Sequence, residues 1–368
     1  MIGKKKVIHI IQSLNNGGWE NALLRLLPLL SDEFEHHIIT LRVPGELAPR
    51  FTGKGIPVTT INWGGFFDFP GYRRLLSETA RLAPDVVITY LFHADMIGRI
   101  FLQSKISAPI IPFLGTTYNY PRYWPARLAE KITKKYARHY LANSPAVKEF
   151  YVKQLGIPGK KITVMPTGID VDHFKSIAAD PKLKTSLHIK PGDFVIICVA
   201  NLHTSKGHQY LLRAFEEIHK KYSETHLLIV GDGTEHARLK NQIQEYTSKN
   251  NIAFLGRRTD VPELLKISDC FILPTLFEGM SNAIMEAMAS SLPVITTDIP
   301  ENRSLVENNK TGFLVPPKSW KKIVEITIAL IADKELRKKS GKTGCQFIEE
   351  NFSLKSSANS FGQFLKTL

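Results

Sequence analysis

Cysteine is scarce in this chain: Cys198, Cys270 and Cys345 are the whole supply among 368 residues, and their spacing pairs none of them. They lie in apolar or helical stretches, which excludes a disulfide-stapled scaffold and a zinc-finger arrangement and fits a reducing compartment, the cytoplasm. Long hydrophobic runs are also missing. No stretch approaches the ~20 apolar residues that a membrane-spanning helix needs. The opening Met1-Ile2-Gly3-Lys4-Lys5-Lys6 leads straight into Val7-Ile8-His9-Ile10-Ile11, too short for a signal-peptide core and without a small-residue cleavage site. The expectation is a soluble or peripheral protein. A full G-x-G-x-x-G fingerprint is absent after that first apolar run, which argues against a nicotinamide-dependent dehydrogenase.

Acid is the remaining shortage. Lys and Arg number 48 against 34 Asp and Glu, a formal charge of +14 that calls for an anionic partner. Neither a finger spacing nor an RNP-like strand accompanies the charge, so nucleic acid is not expected. Much of the excess lies between Arg122 and Lys161, where Arg122, Tyr123, Trp124, Arg127, Lys131, Lys134 and Lys135 spell an aromatic-bearing basic helix. Two readings stand side by side, an interfacial contact with an anionic membrane surface and a solvated helix face.

With 43% hydrophobic residues the chain is long enough for two domains, each with its own core. Short Val/Ile/Leu-rich runs, at Val7 to Ile11, His37 to Leu41, Val86 to Tyr90, Ile110 to Leu114 and His139 to Asn143, alternate with helical-period segments. Continuously apolar strands mean a parallel sheet covered on both faces. The pattern restarts after residues 171–192, with runs at Phe194 to Ala200, His226 to Val230, Ile252 to Leu255, Cys270 to Leu273 and Val294 to Thr297. The expected class is α/β, two Rossmann-like doubly wound halves joined near residue 175.

Residues 273–289 carry the chemistry. Glu278 sits in a Gly-containing loop and Glu286 lies in the helix after it. Gly279 lets backbone approach a ligand, and the free amides of Met280, Ser281 and Asn282 at the helix start favour phosphate. Ser281 and Asn282 are both candidate caps. Carboxylates on either side of such an anion site can each accept bonds from paired sugar hydroxyls.

This loop and helix resemble the E-x7-E signature of retaining glycosyltransferase family 4. The likeness continues through Gly17-Gly18-Trp19-Glu20, Asn201 to His208, Gly231-Asp232-Gly233, Phe254 to Arg257 and Thr311 to Pro316. The resemblance implies the GT-B architecture, two Rossmann-like domains facing across a cleft that closes over the donor. The domains are expected at 1–174 and 175–350, with a helix at 351–368 returning to the first. It further implies Lys206 as the cation that neutralises a leaving diphosphate, Glu278 on the sugar, Glu286 on the ribose diol, and Gly17-Gly18 at the diphosphate or the acceptor. Gly231 would lie beside the nucleotide, with backbone around Arg257 facing the base. Where the family commonly carries an arginine, this chain has Asn201, with His203 and Arg257 as alternative cations. Where it often carries a glutamate, the chain has Ser304, preceded by Pro300-Glu301. His93 is the candidate for the family's sugar-contacting histidine, with Tyr90 an alternative for that position. Asp170-Val171-Asp172 looks like a metal-binding D-x-D, yet its place at the domain junction reads as structural.

The activity that the resemblance implies is a retaining transfer from a nucleoside-diphosphate sugar, UDP favoured and GDP next, without metal or other cofactor. The expected acceptor is a saccharide or lipid-linked hydroxyl in surface polysaccharide or glycolipid synthesis. A sugar-nucleotide epimerase or sugar-phosphate synthase on the same fold is one alternative. A degenerate scaffold that binds anionic surfaces, motivated by Asn201 and Ser304, is the other.

Overall fold

The computed structural model describes residues 3–15, 17–65, 67–115 and 124–368. The chain forms two compact units, one of Met1–Gly168 with Leu354–Leu368, the other of Ile169–Ser353. The crossings thus fall at 168/169 and 353/354, against 174/175 and 350/351 expected from sequence.

In the first unit the strands are β1 Lys5–Ile11, β2 Phe34–Thr40, β3 Val58–Thr60, β4 Val86–Tyr90, β5 Ile110–Leu114, β6 Tyr140–Ala142 and β7 Ile162–Val164. They form one parallel sheet in the order β3-β2-β1-β4-β5-β6-β7. Alternate residues of β1 feed opposite faces. Val7 and Ile11 pack with Leu23, Leu30, Phe361 and Leu365, whereas Ile8 and Ile10 pack with Leu75, Ala94 and Ile97. The terminal helix Leu354–Thr367 is therefore core of the first unit. Gly168 makes that possible: its φ is +68°, and a Cβ there would stand 2.9 Å from Leu354 Cα.

The second unit holds β8 Phe194–Val199, β9 Thr225–Val230, β10 Ile252–Gly256, β11 Cys270–Leu273, β12 Val294–Thr297 and β13 Phe313–Val315. Their order is β10-β9-β8-β11-β12-β13, again parallel. One core built on Val195, Ile197, Phe215, Leu228, Phe271, Met288 and Ile295 runs through it. The order reverses direction at β8, where the loops after β8 and β11 leave the sheet at the switch point that favours ligands in doubly wound folds. Among the described residues no helix is long and apolar enough to cross a membrane.

Candidate functional site

The carboxyl ends of β8, β9, β11 and β12 converge on one set of loops. Beyond β8 the chain makes a short 3-10 turn at Thr204–Lys206 and enters the His208–Lys221 helix through Gly207, whose φ is +70°. A Cβ on Gly207 would lie 2.0 Å from the Pro274 carbonyl oxygen, so glycine is required where the two loops press together. The Leu276 amide donates to the Ser205 carbonyl at 2.6 Å and Thr275 Oγ1 donates to the same oxygen at 3.1 Å. This stitching delivers Lys206 Nζ to 2.5 Å from Glu278 Oε1. Both side chains are largely withdrawn from solvent, where a charge-assisted bond is strong and a lone charge is costly.

Below Glu278 lies a polar scaffold. Thr297 Oγ1 donates to the Thr275 carbonyl, and fully buried Asn302 donates to Thr296 Oγ1 and to the Thr297 carbonyl, each at 2.9 Å. These residues fix the loop that carries Glu278, and sequence reading passed over them. The signal available was polar Thr296-Thr297 closing an apolar strand, which is unusual unless the hydroxyls have partners.

Ser281 is the N-cap of the Asn282–Ala289 helix, its hydroxyl accepting from the Ile284 amide at 3.4 Å, while Asn282 is the first helical residue. No acid occupies the first turn, so the amides after Gly279 and Met280 remain compatible with an anion. Glu286 stands half-buried one turn further along.

Two more loops close on the Asn201 segment. Gly231 has φ +133°, and a Cβ there would meet the Ala200 carbonyl oxygen at 2.0 Å, as one on Gly233 would meet that of Leu202 at 2.4 Å. The Leu202 amide donates to the Asp232 carbonyl and the Gly231 amide to that of Gly256. Arg257 comes next as an exposed cation near Asp232, whose carboxyl is held low by the Gly233 amide, then His236, with Arg257 a lesser contributor. Asn201 is exposed, and His203 spends its Nδ1 on the Ser205 amide and hydroxyl. His203 is thus the N-cap of the Thr204–Lys206 turn.

The first unit holds the other candidates, at the ends of β1 and β4. Gly17 is the N-cap of the Gly18–Leu26 helix. Trp19 then packs on Tyr90 and Phe113, with Gly115 leaving room for its indole. Tyr90 is fully buried and its hydroxyl bonds His9 Nδ1 at 2.9 Å, which removes it as a sugar contact. His93 is half-buried in the Leu91–Ile97 helix, its pKa lowered by burial and then by Arg42. Asp170 caps the Val171–Ser176 helix by accepting from the His173 amide at 3.1 Å, a structural use of the D-x-D. Ser304 Oγ donates to the Glu301 carbonyl at 2.6 Å.

Family models match both halves of the chain, one described as Glycosyl transferases group 1 over residues 180–347 and one as Glycosyltransferase Family 4 over residues 16–173. The UDP-Gal:alpha-D-GlcNAc-diphosphoundecaprenol alpha-1,3-galactosyltransferase of Escherichia coli is 34% identical over 193 residues, 51% of this chain and 50% of that protein. The chain thus spans half the length of that relative. The alpha-monoglucosyldiacylglycerol synthase of Acholeplasma laidlawii is 26% identical over 327 residues, 83% of this chain and 79% of that protein. The crystal structure of Anabaena HepE in complex with UDP superposes with a TM-score of 0.87 at 21% identity, covering 99% of this chain and 100% of that one, a likeness of fold.

Proposed function

The chain belongs to the group 1 glycosyltransferases of the GT4 type, with the GT-B fold, and from that premise we propose that it transfers a sugar from a nucleoside diphosphate to a hydroxyl with retention. The observation that carries this reading is the 2.5 Å Lys206–Glu278 pair beside the capped start of the Asn282–Ala289 helix. A diphosphate entering there takes the Lys206 ammonium and the helix amides, and releases Glu278 to accept from sugar hydroxyls. Glu286 receives the ribose diol. These groups, rather than a metal ion, meet the charge that develops on the leaving phosphate oxygens.

In the proposed reaction the bond from the anomeric carbon to the phosphate oxygen breaks as positive charge spreads onto the ring oxygen. The acceptor oxygen bonds on the face the phosphate has left, and its proton passes to a departing phosphate oxygen. No enzymic nucleophile is required. His93 is the first unit's contact to the sugar in this reading. UDP is the favoured nucleotide, supported by the UDP complex of HepE and the UDP-Gal named for the E. coli relative. A lipid-linked acceptor, met at a membrane surface, is supported by the diphosphoundecaprenol and diacylglycerol in two relatives' names.

Calorimetric titration with UDP, GDP and ADP tests the donor site. UDP is expected to bind in preference, Lys206→Ala to abolish measurable binding, and Glu286→Ala to weaken it by about 1–3 kcal/mol through loss of a charged acceptor. A chain that binds none of the three is a degenerate scaffold.

A further inference from the structure

The Trp124–Thr133 helix is inside out. An ordinary surface helix buries its apolar stripe and shows water its polar one. Here Glu130 is 0% and Thr133 6% exposed, whereas Trp124, Leu128 and Ile132 are 65%, 48% and 59% exposed, and Tyr136, in the 3-10 turn that continues the helix, is 45% exposed. Spacing of four residues sets Trp124, Leu128 and Ile132 in one row and carries it on to Tyr136. Arg122 and Tyr123, grouped with this helix in the sequence, lie outside the described residues.

A buried ion pair holds the helix in that orientation. Arg99 Nη2 donates to Glu130 Oε2 at 2.6 Å with both side chains fully buried, and the guanidinium stands over the Tyr140 ring at 5.9 Å. Rolling the helix to hide Leu128 and Ile132 would expose this pair or leave Arg99 uncompensated in the interior, which is the more costly outcome.

The chemistry around the row says what covers it. Lys131, Lys135 and Arg138 are exposed and Arg127 half-buried beside it, while Glu130, the sole acid from 124 to 138, points inward. A protein interface of this apolarity would be depleted of lysine at its centre. A row of aliphatic groups with Trp and Tyr at its ends and cations alongside matches the boundary between lipid headgroups and acyl chains.

We propose that this face docks the protein on an anionic phospholipid surface, with Trp124, Leu128, Ile132 and Tyr136 entering the interface and the flanking cations meeting lipid phosphates. Its purpose rests on the reading of a lipid-linked acceptor, but docking is measurable without donor or acceptor. The full chain should sediment with vesicles of phosphatidylcholine containing phosphatidylglycerol and not with phosphatidylcholine alone, and Trp124 emission should shift to the blue. Leu128→Ser with Ile132→Ser, at exposed positions that leave the core intact, should weaken partitioning roughly tenfold or more, and Lys131→Gln with Lys135→Gln should reduce both affinity and its salt dependence. Serine variants that bind vesicles like the parent chain would overturn the proposal. So would serine substitutions that turn a dimer into a monomer without changing vesicle binding, which would assign the row to a second protein copy. UDP calorimetry on the same variants separates the two readings. UDP binding without vesicle binding ends the docking proposal alone, and vesicle binding without nucleotide binding ends the donor-site reading alone.

Discussion

Lys206 and Glu278 are separated by 72 residues and meet at 2.5 Å, so each is the other's counterion. Sequence singled out each of them separately, because each sits in a loop whose glycines and neighbours have a recognisable order. Their pairing was not, since nothing local fixes which loop lies against which. Buried histidines were equally opaque. Burial holds His36 down to about 4, and burial followed by the Lys206 charge does the same to His208, neither of whose ring nitrogens has a partner among the described residues. In the unfolded chain both titrate near ~6.5. Between about pH 6.5 and 4 the unfolded chain therefore binds more protons, so stability is fully present above that window and is lost as pH falls through it. Unfolding by urea at pH 7 and pH 5 should reveal a loss of about 2 kcal/mol per histidine, reduced in a His208→Leu chain. A midpoint indifferent to pH across this range would show that neither imidazole is kept neutral by the fold.

The loop that presents Lys206 depends on Gly207 for two reasons, its φ of +70° and the 2.0 Å approach of an added Cβ to the Pro274 carbonyl oxygen. Gly192 separates them, because its φ is +97° but an added Cβ meets nothing within 4 Å. Gly207→Ala should cost on the order of 3 kcal/mol and abolish UDP binding, whereas Gly192→Ala should cost about 1 kcal/mol and leave the nucleotide alone. Thermal melts with calorimetry decide, and equal effects of the two variants would refute the loop-stitching role. Sequence periodicity found the long central strands since these are apolar without interruption. It passed over β3, β7 and β13, each an edge strand of three residues in the structure, too short to leave a pattern, with β3 and β7 largely half-buried as well. The basic helix was found as an element but not as an inverted one. Its identity depends on Arg99 reaching Glu130, 31 residues away, and sequence offers no register for that.

At the scale of the molecule, the restart of the strand pattern near residue 190 made two α/β halves readable, and the sheets have that arrangement. The terminal helix belongs to the core of the first unit, where Phe361 and Leu365 are fully buried with Leu30 and Phe34. Deleting Leu354–Leu368 should therefore destabilise the first unit by on the order of 5 kcal/mol while the second keeps its own melting transition. Hydrogen exchange measured strand by strand is the check, and continued protection of β1 in the shortened chain would contradict it. The same feature sets a schedule for synthesis. Emerging β1 to β7 lack part of their core until Ile169–Ser353 has been made, a wait of roughly 10–40 s at about 5–20 residues per second. The second unit, continuous in sequence, is free to finish first, and the half that begins the chain is the half that is completed last.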